Sequence, residues 1–153
     1  MKGRKNMEEI VKEMNIFLSD LACFYRKLQN YHWNIIGEDF FEVHVKLEEY
    51  YNEINEQIDE IAEHILTLGY EPLGTMEDYI ANKTIAEAKN EKVKSKEIFE
   101  NLIEDYTILL QESTKIKKIA DEKNNYSTSS LIDEYIKAYS KKLWMLKSCT
   151  MSN

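Results

Sequence analysis

One proline and four glycines in 153 residues leave few places to break a helix, and no stretch of any length alternates apolar with polar residues as a half-buried strand would. The expectation is an all-α fold in a single domain over residues 1–153. No run of about 18 apolar residues occurs, which argues against a membrane-spanning helix. The basic start MKGRKN runs into MEEIVKEM instead of a hydrophobic leader core, so a cytoplasmic location is expected. Cysteine is scarce: Cys23 and Cys149 sit in helical patterns without a CxxC, which reads as reduced packing residues and argues against redox or zinc work. Basic charge is also short, with 20 Lys+Arg against 28 Asp+Glu and a formal charge of -8. That balance makes nucleic acid a poor default partner and suits attraction of cations. Finally, none of His32, His44 and His64 has a Glu three positions before it, so the Glu-x-x-His motif that builds a two-metal site inside one helical bundle is missing.

What is present is a set of long heptad-like stripes. Residues 1–6 carry Lys2, Arg4 and Lys5 without an apolar anchor and are expected to form a mobile tail. A first helix is predicted from about Met7 to Ile36, its stripe running through Ile10, Met14, Phe17, Leu21, Phe24, Leu28 and Tyr31. Gly37 breaks it and Asp39 is placed to cap the next helix. After that helix, Gly69 and Pro72 stop the chain, and Thr75 to Asp78 resembles a capping box opening a short extra helix. The long connection can cross the bundle, so the third helix need not be antiparallel to the second. Two further helices are predicted, from about Ser95 to Lys123 (Phe99, Leu102, Tyr106, Leu109, Ser113, Ile116, Ala120) and from about Thr128 to Ser148 (Ile132, Ile136, Tyr139, Leu143, Leu146). Ser and Thr of NNYSTSS are suited to cap the last, and Trp144 reads as a core or interface residue. The sum is a four-helix bundle with a short helix in the crossover between helices 2 and 3.

The second helix, within FFEVHVKLEEYYNEINEQIDEIAEHILTL, carries the chemistry. Its core stripe is predicted at Leu47, Tyr51, Ile54, Ile58, Ile61, Ile65 and Leu68. His44, Glu48, Asp59 and Glu63 lie off that stripe within an arc of roughly 100°. A solvated polar face is the plain reading. Against it, Phe41, Val45, Ala62 and Leu66 share the face, and apolar residues there point to a second contact. Run against itself backwards about a point between Glu53 and Ile54, the face brings Phe41 to Leu66, Val45 to Ala62, His44 to Glu63, Glu48 to Asp59 and Asn52 to Asn55. One patch meeting itself is the mark of a two-fold interface. His44 and Asp59 lie about 22 Å apart along the axis, too far to share an ion in one chain, whereas two chains paired this way bring them together. His32 lies as far before the turn as His44 lies after it, so both imidazoles reach one level, while His64 points elsewhere. Carboxylates with one or two imidazoles suit Fe(II), Mn(II) or Zn(II) without choosing among them.

The segment YHWNIIGEDFFEVHVKLEEYYNEINEQIDEIAEHI resembles the signature of the Dps family of mini-ferritins, and EPLGTMEDYI and KKLWMLKS resemble its crossover and last helix. The resemblance implies a ferritin-like subunit assembled as a hollow dodecamer, with His32, His44 and Glu48 from one subunit and Asp59 and Glu63 from its two-fold mate as metal ligands. It implies ferroxidase activity, an oxidoreductase chemistry in which Fe(II) is oxidised preferentially by hydrogen peroxide and stored as Fe(III) mineral, in protection against oxidative stress. Trp33 corresponds to a Trp that intercepts stray oxidising equivalents, with simple packing as its other role. Three features depart from the family. Glu48 stands where many members have Asp. The acidic iron-access pore is replaced by KNNYSTSS flanked by Asp121, Glu122 and Asp133. Lys141 stands where Glu is common. The alternative reading is a nucleoid-binding protein that shields DNA physically; with three basic residues in the tail, DNA binding is expected to be weak or absent.

Overall fold

The computed structural model describes residues 2–151, with side chains from Met7 onward. The order is α1 (Lys2–Asn34), β1 (Ile35–Ile36), α2 (Phe40–Thr67), α3 (Met76–Asn82), β2 (Val93–Lys94), α4 (Ser95–Glu122) and α5 (Tyr126–Thr150). Part of the tail expected over residues 1–6 lies outside the described residues, and the side chains of that whole stretch do too. Among the described residues no helix is long and apolar enough to cross a membrane.

Two helical hairpins, α1/α2 and α4/α5, pack against each other chiefly through α1 and α4. Short connections make each hairpin antiparallel. The direction of the second hairpin follows from a feature too short to read in the sequence: β1 and β2 pair in parallel, Ile35 opposite Val93 and Ile36 opposite Lys94. This pairing brings the crossover back to the end of α1 where α2 begins, so α4 starts there too and runs parallel to α2. That is the ferritin-like arrangement of a bundle with one long crossover.

Local stops and starts have identifiable causes. Gly37 adopts φ +126°, which a side chain would strain, and lets Phe40 N–H reach the Gly37 carbonyl at 3.2 Å. Asp39 does occupy the N-cap position of α2, but its side chain makes no capping bond there, contrary to expectation. Gly69, at φ +86°, closes α2, with its own N–H on Leu66 O at 2.9 Å and Tyr70 N–H on Ile65 O at 3.3 Å. Thr75 accepts from Asp78 N–H at 3.2 Å and opens α3 as expected. At α5 the cap is Asn125, accepting from Thr128 N–H at 3.2 Å, so the helix starts two residues earlier than the Ser/Thr reading placed it.

All seven predicted stripe residues of α1 are buried. In α2 the buried line is Val43, Leu47, Tyr50, Ile54, Gln57, Ile61 and Ile65, while Tyr51 and Ile58 are only half-buried. The polar Gln57 disguised this line, and it sits inside because its Oε1 accepts the Tyr139 hydroxyl at 2.6 Å. For the same reason of a slightly rotated face, Ile98 and Tyr135 are buried while Phe99 and Ile136 pack at the margin. Edge-to-face aromatics fill the centre, with Phe24 and Tyr106 centroids 4.9 Å apart and Tyr50 6.0 Å from Tyr106. Trp144 is 66% exposed and takes no part in this core. Cys23 packs against the core, but Cys149 is exposed, so the packing role expected of both holds only for the first.

Candidate metal centre

The α1/α2 turn is short enough to set His32, in the last turn of α1, beside His44, in the second turn of α2. Their rings stack with centroids 3.6 Å apart and planes 12° from parallel. His32 Nδ1 lies 2.6 Å from the backbone carbonyl of His44, and His44 Nδ1 lies 2.7 Å from the carbonyl of His32. A carbonyl only accepts, so each Nδ1 carries the hydrogen, which leaves Nε2 as the ring atom that a metal would take. This reciprocal lock fixes two ligand atoms side by side. The Phe40 ring stacks on His44 at 4.9 Å, and the Tyr51 ring meets the edge of His32 at 5.4 Å.

Tyr51, placed in the core stripe by its spacing, packs at the core margin and also reaches the candidate ligand Glu48. Its hydroxyl donates to Glu48 Oε1 at 3.3 Å, and its phenol is pushed above the usual range, first by burial and then by the Glu48 carboxylate, so it keeps the proton it donates. Glu48, Asp59 and Glu63 are exposed. Asp59 and Glu63 are on the same helix as His44 but about 22 and 28 Å further along it. Among the described residues no three His, Cys, Asp or Glu side chains come together in a single chain to hold a metal ion. His64 is turned away: its Nε2 is 2.8 Å from Thr128 Oγ1, tying the end of α2 to the start of α5, and burial lowers its pKa against the opposing pull of Glu60.

Several large apolar side chains are exposed on these elements. Phe41 is 80% exposed, Val45 52%, Leu66 53% and Trp33 57%, with Ile36 beside them in sequence at 40%. For Trp33 this exposure leaves little packing within its own chain beyond the Arg26 guanidinium, 5.9 Å from the ring centroid. Exposed apolar side chains at both ends of α2, interspersed with carboxylates, are what a wholly solvated polar face would not show.

The residues flanking KNNYSTSS are arranged differently from a free acidic cluster. Lys117, which sequence reasoning passed over, bridges Asp133 at 2.9 Å and Asp121 at 3.7 Å. A lysine one turn before Asp121 was the available signal.

The comparisons with known proteins agree with this architecture. Residues 11–150 match the family described as Ferritin-like domain. The chain is 32% identical to the DNA protection during starvation protein of Helicobacter pylori, over 92% of this chain and 95% of that one. Among solved structures, a Dps protein from Vibrio cholerae O1, described as a member of a broad superfamily of ferritin-like diiron-carboxylate proteins, superposes with a TM-score of 0.93 at 32% identity, covering 96% of this chain and 92% of that one. Antigen TpF1 from Treponema pallidum superposes with a TM-score of 0.95 at 30% identity, covering 97% and 95%. With a crossover bundle, a locked histidine pair at the α1/α2 turn and relatives matched over nearly their full length, this chain belongs to the Dps family of ferritin-like proteins.

Proposed function

We propose that this protein is a ferroxidase and iron-storage protein. Pairs of two-fold related copies oxidise Fe(II), preferentially with hydrogen peroxide, and a hollow homo-oligomer, a dodecamer by family resemblance, retains the Fe(III) product in the cytoplasm. The observation that carries this reading is the locked pair of His32 and His44, whose free Nε2 atoms sit beside an exposed, self-complementary face bearing Glu48, Asp59 and Glu63. Paired antiparallel about the point between Glu53 and Ile54, one chain contributes His32, His44 and Glu48, and the other contributes Asp59 and Glu63.

Each part of that set has a task. Neutral imidazoles bind Fe(II) without adding charge, and the three carboxylates favour the harder Fe(III) product. Zn(II) and Mn(II) suit the same donors and would compete. Two Fe(II) each give one electron to one hydrogen peroxide, which takes up two protons and leaves as two waters. Because both electrons are delivered together, no hydroxyl radical is released. Trp33, exposed and next in sequence to His32, would take up any oxidising equivalent that escapes this pairing. Asp121, Glu122 and Asp133 would flank the iron-access route in place of a free acidic pore, with Lys117 offsetting part of their charge.

The second reading, physical protection of DNA, is favoured by the name of the Helicobacter pylori relative. It is opposed by the charge of -8 per chain, which repels phosphate unless the basic tail of every copy acts together. The deciding experiment loads the intact assembly with Fe(II) under anaerobic conditions, adds peroxide, and measures the iron retained. Retention is expected for the wild type, and a His44→Ala, Asp59→Ala double variant should assemble yet lose fast oxidation. Equal rates in the two proteins would sink the proposal.

A further inference from the structure

The crossover rejoins the bundle at Thr84 and Ile85, where a fully buried carboxylate on α1 receives it. Asp20 Oδ1 accepts from Thr84 N–H at 2.6 Å and Ile85 N–H at 2.8 Å, and Oδ2 accepts the Thr84 hydroxyl at 2.6 Å. Opposite, on α4, Glu112 Oε1 lies 3.2 Å from the same Thr84 oxygen, and Glu112 Oε2 is buried without a hydrogen-bond partner. The Thr84 hydroxyl has one hydrogen, and the shorter contact assigns it to Asp20. Glu112 as a carboxylate would then face an oxygen lone pair and a second carboxylate, with no cation to offset them. Among the described residues neither Asp20 nor Glu112 has a Lys or Arg ion-pair partner.

The surrounding groups do not change that balance. Glu13 of α1 also acts on Glu112, but its charge is taken by Lys115 of α4 at 3.1 Å. Lys83 of the crossover gives its ammonium to the Ile85 carbonyl at 3.2 Å, where the Cys23 thiol of α1 also donates. Lys27 of α1 is spent on Asp105 of α4 at 2.9 Å, and the only group on α5 that Glu112 is known to influence is the neutral phenol of Tyr139. Two carboxyl groups that share the Thr84 hydroxyl, with Asp20 fully buried and Glu112 Oε2 shut off from solvent, disfavour being ionised together.

We propose that Asp20, Thr84 and Glu112 form a proton-locked latch: a neutral Glu112 carboxylic acid donates into the Asp20–Thr84 pair, fastening the end of the crossover to α1 and α4, and its ionisation in alkaline solution releases that segment. Burial, the hydrogen bond to Asp20 and the charge of Asp20 push Glu112 up to about 9. The latch is therefore held by the proton at neutral pH, weakens as pH rises toward that value, and is fully ionised above it.

Trypsin supplies the test, because Lys83, Lys89, Lys92 and Lys94 lie in or beside this segment and the protease works across the alkaline range. The assembled wild type and Glu112→Gln, which keeps a neutral donor at every pH, are digested between about pH 7.5 and 10.5, with rates normalised to a small peptide substrate. Cleavage within residues 83–94 should rise by up to about tenfold per pH unit between pH 7.5 and about 9 in the wild type, level off above that, and stay at its neutral level in Glu112→Gln. A flat wild-type profile, or the same rise in both proteins, overturns the latch. Infrared difference spectra keep the idea open to refutation should the variant fold poorly: the wild type at pH 7 should show a protonated-carboxyl band that fades by pH 10. Absence of that band at pH 7 refutes the proposal as well.

Discussion

If each site is shared across a two-fold, two inactive chains must be able to repair one another. His44 and Glu63 are 19 positions apart on α2, about 28 Å at the rise of an α-helix, so neither His44→Ala nor Glu63→Ala leaves a complete ligand set in a dimer of identical chains. Mix the two variants as dissociated chains and let them assemble. At equal input, about half the dimers are mixed, and in each mixed dimer one site carries both substitutions while the other takes His44 from one chain and Glu63 from its mate. About one quarter of all sites are then intact, so the peroxide-driven Fe(II) oxidation rate should recover to roughly a quarter of wild type. Variants assembled separately and mixed afterwards should recover nothing. Packed helices stand about 8–10 Å apart, which the imidazole and carboxylate arms can span to a common ion. The assay is stopped-flow iron oxidation, with mass measurement of the intact dimers to confirm hybrids. Hybrids present at the expected share with no recovered rate would refute the sharing of ligands and the pairing centred between Glu53 and Ile54.

Phe41→Glu should place a charge against Leu66 of the mate and shift the protein toward monomer by sedimentation, and adding Leu66→Lys should restore assembly. Lys27→Met should lower stability by about 3–5 kcal/mol in denaturant melts at pH 7, because it strands the buried Asp105; Lys27→Met with Asp105→Leu should recover most of that loss. Asp105 itself is raised to about 6, burial outweighing Lys27, so the folded state holds its proton more tightly than the unfolded chain. Its contribution to stability should therefore decline as pH rises from about 4 to 6, and the damage done by Lys27→Met should shrink below pH 6. Tyr106→Phe should be neutral or stabilising by about 1 kcal/mol, since the Tyr106 hydroxyl is buried without a partner, and a lower melting temperature would show that the hydroxyl is satisfied after all. Gel shifts with assembled protein at about 150 mM salt should show little retention of duplex DNA; tight retention lost on removing residues 1–6 would reverse that reading.

The bundle could be read from spacing because apolar residues recur on one face of each long helix, and in α1 every stripe position is buried. The reading slipped where a polar residue belongs inside. Gln57 is buried by its bond to Tyr139, and without knowing that partner the stripe is drawn through Ile58 and Tyr51 instead. The β1/β2 pairing involves two residues on each side, below any periodicity, yet it sets the direction of α4. Caps went partly astray for a related reason: Asp39 and Asn125 both have the right chemistry, and only backbone geometry decides that Asn125 bonds and Asp39 does not. At the candidate site, the level of His32 and His44 follows from a short turn between two helices. Their reciprocal bonds do not, because these depend on where two backbone carbonyls point. Nor does pairing alone give Tyr51 its place between His32 and Glu48.

A single chain holds the imidazole half of the proposed centre in its working tautomer, with both Nδ1 atoms committed to backbone carbonyls that cannot let go without opening the α1/α2 hairpin. Two imidazole nitrogens and one exposed carboxylate are a weak site for Fe(II) and a weaker one for Fe(III), whose added charge asks for oxygen anions. On the proposed pairing, Asp59 and Glu63 supply those anions only when a second chain covers the apolar residues Phe41, Val45, Ala62 and Leu66. On that pairing, the free energy of burying that face completes the ligand set, and oxidation would be confined to chains that have already paired. In that case Phe41→Glu should abolish fast oxidation while leaving the His32–His44 contact intact, as histidine ring resonances would show. A dispersed monomer that oxidised Fe(II) at the wild-type rate would mean that burial and chemistry are separate properties of this face.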